Sequence, residues 1–332
     1  MDSLTQIVLG AAVGEVVLGR KVGNKAMLYG AIAGTIPDLD VLSSHFLDTS
    51  RSLEFHRGFT HSIVFSVLFA PIFAWIVTHY ERHKEWHHWM WLFFWAFVTH
   101  PILDAHTTWG TQLFWPLDIR LAFKTIFVID PLYTLPFLIC LILAMVHKRT
   151  DPKRQRYNRL GLWLSTSYLV LTMALKGFTY YQFTKALENR QIVYQDMITR
   201  PAAFNTILWN ANVETKDAYL LADYSLFDEL PISFQKYPKN HHLLGHLKDN
   251  ERIQRMIKIS KGWYLITKED NRLYFNDLRF GLMSFEPGST DFVFKYLITQ
   301  SDNGQVTLTE VEKNPADGRK LLSDLWTRVK GN

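Results

Sequence analysis

The chain has 332 residues, long enough for two domains, and its 36 Lys and Arg against 31 Asp and Glu leave a net charge of +5. Many of these cations lie in short loops between apolar runs, a mark of membrane orientation rather than of a nucleic-acid surface, so no nucleic-acid partner is expected. Cys140 is the single cysteine, which excludes an intrachain disulfide and a thiolate metal cluster and leaves oxygen and nitrogen as metal donors.

A mean hydropathy near zero averages two unlike parts, with apolar tracts before about residue 180 and ordinary soluble composition after it. Residues 4–18 (LTQIVLGAAVGEVVL) are apolar and rich in small side chains, but Glu15 interrupts them and they fall short of the roughly 20 residues that span hydrocarbon. The N-terminus lacks a basic region followed by a cleavage site, so this helix is expected to be retained. Residues 26–36 are Gly/Ala-rich and stop at Pro37; such side chains let helix backbones approach closely. Stronger spans follow at 62–78, 89–103, 126–146 and 160–175. Trp86, Trp89, Trp91, Trp95, Trp109 and Trp115 fit interfacial aromatic belts. Residues 1–180 are thus expected to form an α-helical multi-pass membrane domain of about six helices, four of them strong spans.

Short loops rich in Lys and Arg stay cytoplasmic. Residues 147–159 are the clearest case, and counting back through alternating helices puts the basic loops 81–85 and 20–25 on the same side. The opposite, outer face of the bacterial cytoplasmic membrane then receives the N-terminus, segments 38–61 and 104–125, and everything after about residue 180. Beyond a connector at 181–200, residues 201–332 alternate β-prone stretches with turns: TILWNANVE, AYLLADYS, GWYLIT, RLYFNDLRF, DFVFKYLI and QVTLTEVE. They predict a small β-rich extracytoplasmic domain, closed by a helix at 316–329.

Against this topology the informative residues are ionisable groups in or beside apolar sequence. Asp38 and Asp40 stand in PDLD, two apart, where an extended turn can aim both carboxylates at one ion. Pro-Asp also marks ordinary helix exits. His56 and His61 stand in HRGFTH, with Gly58 expected to allow a tight turn; imidazole is a common ligand of catalytic zinc. His100 and Asp104, four apart in HPILD, share a helical face, and His106 follows. Asp130 lies in an apolar run just before Pro131, where an unpaired carboxylate would be expensive.

The predicted topology brings all four groups to one membrane face, with Asp2 joining them if the first helix starts there. Several carboxylates with two or three imidazoles suit a divalent metal, zinc before manganese or iron, as one or two ions. His56, His61, His100 and Asp104, with one or more of Asp38, Asp40 and Asp130, are the expected ligands. A carboxylate left over, Asp40 or Asp130, would act as general base. Arg57 and Lys124 could hold an anionic group.

In the order MDSLTQ, PDLD, HRGFTH, HPILDAHTTWGTQLFWP and FVIDPLYTLP, with NTILWNANVE later, the chain resembles the YdjM-like family of bacterial membrane-bound proteins described as metal-dependent hydrolases. The resemblance implies that activity, with Asp38, Asp40, His56, His61, His100 and Asp104 matching the family's polar motif. Where such proteins commonly read MDSLTH, this chain has Gln6.

The expected function is a membrane-bound metal-dependent hydrolase acting on an ester or phosphoester, lipid-like or otherwise amphiphilic, in a lipid environment. The alternative is a non-enzymatic membrane protein whose metal staples loops and whose C-terminal domain binds a partner. Transport is disfavoured, because the polar residues gather at one end rather than along a path.

Overall fold

A computed structural model describes residues 1–301, 304–313 and 318–332. It contains two compact units, one of Met1–Ser43, Phe55–Ala174 and Ala203–Asn205, the other of Ser44–Glu54, Leu175–Ala202 and Thr206–Asn332.

In the first unit, the small-residue sequence at the N-terminus folds into α1 (Ser3–Val22) and α2 (Asn24–Thr35). Asp2 caps α1 by accepting from the Thr5 amide at 3.1 Å, and Gly23, at φ 67°, turns the chain back. A Cβ on Gly10 would collide with the Gly30 carbonyl, and one on Gly34 with the Gln6 carbonyl. The two helices therefore pack backbone on backbone, as the small-residue pattern predicts.

Past Pro37 a 3-10 segment, Pro37–His45, is followed by α3 (Thr49–Phe55), all but its last residue in the second unit, and by a short 3-10 turn of the first, Phe59–His61. Then come α4 (Ile63–Tyr80), α5 (Trp86–Asp104), α6 (Pro131–Val146) and α7 (Pro152–Asn189). Trp89, Phe93, Phe97 and Phe137 fill the bundle core between Ala12, Ala26 and Ala144.

Glu15 does not break α1. It is buried and takes a two-pronged bond from Arg154, at 2.7 Å from Nε and 2.5 Å from Nη2. Arg154 also donates to Asn24 and to the His147 carbonyl, so one cation of the basic loop serves inside the bundle. Low dielectric makes such a pair strong only when, as here, its remaining donors are satisfied.

Among the described residues two helices, Ser3–Val22 and Ile63–Tyr80, are long and apolar enough to cross a membrane, and Pro131–Val146 is a shorter apolar helix. Four strong spans are not supported. Of those expected, 62–78 coincides with α4. The run at 126–146 loses its first five residues because Asp130 caps α6. Histidines dilute the apolar run of α5, and 160–175 lies inside a 38-residue helix that opens on Lys153, Arg154, Arg156 and Arg159. That helix also continues through the first part of the expected connector, to Asn189.

The second unit holds two antiparallel four-stranded sheets, each paired in chain order. The first comprises β1 (Asp196–Pro201), β2 (Leu208–Glu214), β3 (Ala218–Ser225) and β4 (Gln235–Pro238). After α8 (Glu251–Ile259), the second comprises β5 (Tyr264–Glu269), β6 (Arg272–Leu282), β7 (Phe292–Gln300) and β8 (Val306–Glu310). Each expected β-prone stretch overlaps a strand, with β5, β6 and β7 running two residues past theirs; β1, β4 and α8 are additions. Ile198, Tyr219 and Leu221 of the first sheet share one apolar cluster with Leu265, Leu278 and Phe292 of the second. The expected closing helix is α9 (Gly318–Val329), while residues 316 and 317 lie outside the described residues.

Candidate metal centre

Three chain segments bring polar side chains to one end of the helical unit. Pro37 ends α2 and starts the 3-10 segment that carries Asp38 and Asp40. HRGFTH makes the turn before α4, but its left-handed residue is Arg57, at φ 59°, rather than Gly58. Gly58 matters for space instead, since a Cβ there would stand 3.0 Å from the Phe55 carbonyl oxygen. The last turn of α5 supplies His100 and Asp104, which share a face despite Pro101.

Asp38, His61, His100 and Asp104 each offer one donor atom, all lying within 4.8 Å of one another. His61 Nε2 is 3.2 Å from His100 Nε2, 3.3 Å from Asp38 Oδ1 and 3.5 Å from Asp104 Oδ2. His100 Nε2 is 3.4 Å from Asp38 Oδ1 and 3.7 Å from Asp104 Oδ2. Ligands about 2.1 Å from a first-row ion stand roughly 3.0–3.4 Å apart in octahedral or tetrahedral arrangement, so the donor set fits a divalent metal. Asp104 Oδ2 is buried without a hydrogen bond, an orphaned acceptor facing the same space.

Each donor is oriented from behind. His100 Nδ1 donates to the Gly34 carbonyl at 2.7 Å, which leaves Nε2 bare and aimed at the cluster. The close packing of α1 on α2 fixes that carbonyl. His61 Nδ1 lies 3.3 Å from Asp40 Oδ2 and 3.0 Å from Thr60 Oγ1. Asp104 Oδ1 accepts from the Met1 amino group and from Gln6 Nε2, the latter at 2.9 Å. Arg57 Nε stands 3.1 Å from Asp104 Oδ2 as an ion pair, while its Nη1 donates to Thr107. Asp38 is the open corner, its side chain 25% exposed while the other three are at 0%.

The charges are mutually dependent. Burial alone would raise the Asp38 carboxyl, but the His100 and His61 imidazoles beside it outweigh burial and hold the group well below the usual carboxylate range. Asp40 is likewise held low against the effect of burial, by His56 and His61. Burial would lower His61, yet the Asp104, Asp38 and Asp40 carboxylates beside it push it up to about 9.

Of the expected ligands, Asp38, His61, His100 and Asp104 therefore meet. Asp40 and His56 stand behind them. Asp40 is spent on the loop, accepting from His56 Nδ1 at 2.8 Å, the Arg57 amide at 2.8 Å and Thr60 Oγ1 at 3.0 Å. Asp130 caps α6 through the Leu132 and Tyr133 amides and accepts from the Tyr168 hydroxyl at 2.9 Å. Asp2 is the α1 cap, and His106 Nδ1 lies 3.0 Å from Thr125 Oγ1. Gln6, which stands where the resembling family commonly has His, and Arg57, expected to hold an anionic group, both touch Asp104. Sequence reading missed the Gly34 carbonyl and Arg120, which donates to the His56 carbonyl at 3.1 Å. Neither carries a local signal, because a backbone carbonyl and a loop arginine become specific only through folding.

The family model described as YdjM inner membrane protein matches residues 1–180, the part that contains the whole centre. No curated protein and no solved structure matches the chain.

Proposed function

The chain belongs to the YdjM inner membrane protein family, and from that membership and the four-donor cluster we propose a multi-pass membrane hydrolase that uses a divalent metal to cleave an ester or phosphoester at the outer face of the cytoplasmic membrane. The observation that carries this reading is the Asp38–His61–His100–Asp104 set, walled on three sides and open at Asp38.

These four residues would hold the metal, which when bound would polarise the scissile bond and acidify the attacking water. We favour His56 as the base over Asp40 and Asp130. Its Nδ1 is held by Asp40 Oδ1, its ring centroid lies 6.2 Å from that of His61, and its side chain is 28% exposed, which leaves Nε2 free to accept a proton. Asp40 then acts through His56 and His61. Asp130, with both oxygens engaged, stays a cap.

An amphiphilic substrate is supported by the loop after α5. It is tied to HRGFTH by the Gln112 amide on the Arg57 carbonyl and by Arg120, and it exposes Phe114, Trp115, Leu117 and Ile119. Further spans beyond the two long apolar helices are supported by outward-facing apolar side chains. Leu132, Leu135, Ile139 and Ile142 of α6, and Trp163, Val170 and Leu171 of α7, are exposed, a pattern costly in water and suited to lipid. The cationic loops support an extracytoplasmic β-rich domain.

One observation favours a second reading, in which metal only staples the loops and the C-terminal domain binds a partner. Four protein donors saturate a tetrahedral ion. Zinc held that way would be structural, whereas manganese or iron, taking five or six ligands, would keep room for water.

Elemental analysis of the purified protein, combined with a screen of phosphoesters and lipid esters using wild type, His61→Ala and His56→Gln, tests both. Hydrolysis is expected to need both histidines, and metal only the first. Metal-free native protein would sink both readings, and metal without turnover would leave the staple. A reporter fused after Asn332 is expected outside the cytoplasm; activity inside would overturn the topology.

A further inference from the structure

A second group of donors lies at the other end of α5, where the basic turn after α4 meets the helix start. His83 Nε2 is 2.9 Å from His88 Nδ1, and Glu85 Oε2 is 3.1 Å from the same atom. One donor from each of the three residues falls within 4.8 Å of the others. His87 Nε2 stands 3.6 Å from Glu85 Oε2.

The turn is braced rather than loose. Lys84 Nζ donates to the Thr78 and His79 carbonyls at the end of α4, and the fully buried Trp89 donates Nε1 to the His83 carbonyl at 2.9 Å. Glu85 is the α5 N-cap residue, yet its side chain makes no capping bond and points into the histidine group. The three side chains converge at the start of α5, with His83 stacked on His88 at 5.1 Å, and a braced set of two imidazoles and a carboxylate is the donor chemistry of an accessible first-row metal site.

We propose that His83, Glu85 and His88 form a second, exchangeable site for zinc or a neighbouring first-row divalent ion, separate from the buried centre. From His88 to His100 is roughly 18 Å along the helix. Leu92, Phe93, Ala96 and Phe97 are buried between them, so no polar side chain of α5 connects the two sites through that stretch. Lys21 opposes loading, its Nζ lying 3.0 Å from His88 Nδ1. Its exposed side chain can swing away into water when a metal enters, so Lys21 sets the affinity without blocking the site.

The test is a cobalt(II) titration of the metal-stripped full chain in detergent, followed by visible absorption. Two classes of site are expected. His83→Ala/His88→Ala removes the weaker class, Glu85→Gln weakens it about tenfold, and His61→Ala spares it while removing the tighter one. Removing the ammonium charge with Lys21→Met tightens the weaker class about fivefold. A wild-type titration with one class that His61→Ala abolishes would overturn the proposal. So would a weaker class unchanged in His83→Ala/His88→Ala. Because the two classes respond to different substitutions, failure here is distinguishable from failure of the buried centre.

Discussion

His61 Nε2 faces His100 Nε2 across 3.2 Å, while the second nitrogen of His100 is already committed to the Gly34 carbonyl. With Nδ1 of His100 carrying the proton, its Nε2 presents a lone pair to His61. A proton on His61 or a metal ion satisfies both rings, and the two alternatives compete.

That competition gives metal binding a pH dependence. In the metal-free protein His61 is pushed up to about 9 from 6.5, so its proton stabilises the fold fully below about pH 6.5 and that contribution is lost as pH rises through 9. Metal must displace this proton. Affinity is expected to rise about tenfold per pH unit through neutrality and to level off above the His61 value. Calorimetry of metal binding in buffers of different ionisation enthalpy should register close to one proton released at pH 7; no release would contradict the exchange.

The α1–α2 contact should matter to the site as well as to stability. Gly34→Ala places a Cβ against the Gln6 carbonyl and shifts the acceptor of His100. We expect a loss of about 1–3 kcal/mol in detergent unfolding and metal affinity lower by about 10–100-fold. Gly177→Ala, where a Cβ meets nothing within 4 Å in the interior of α7, is the control: it should leave metal affinity unchanged and raise stability by about 0.5–1 kcal/mol.

His56→Gln separates catalysis from binding. The variant keeps all four donors, so metal content should equal that of wild type, while kcat falls about 10²–10⁴-fold with KM little changed. Asp40→Asn should lose metal affinity as well, because Asp40 also supports His61.

Removing one partner of the buried Glu15–Arg154 pair strands a charge. Arg154→Met is expected to destabilise by about 3–5 kcal/mol. Glu15→Leu/Arg154→Met should recover most of that loss, since it removes the second buried charge; an additive penalty in chemical unfolding would show that the pair is not coupled.

The sequence alone determined the apolar helical part, the β-rich part and the family, because hydrophobic runs, strand alternation and ordered polar motifs are local patterns. It also identified the residues of the centre as a group, since charges beside apolar helices need partners. Which of them meet was decided only by tertiary structure. Asp38 and Asp40 lie two apart, yet one joins His61 and His100 while the other turns to His56 and the Arg57 amide. His56 and His61 divide in the same way, and Asp130 goes to a helix cap. Spacing limits which side chains can share a face. The direction of each depends on contacts such as Gly34 with His100 and Arg154 with Glu15, which join positions 66 and 139 residues apart.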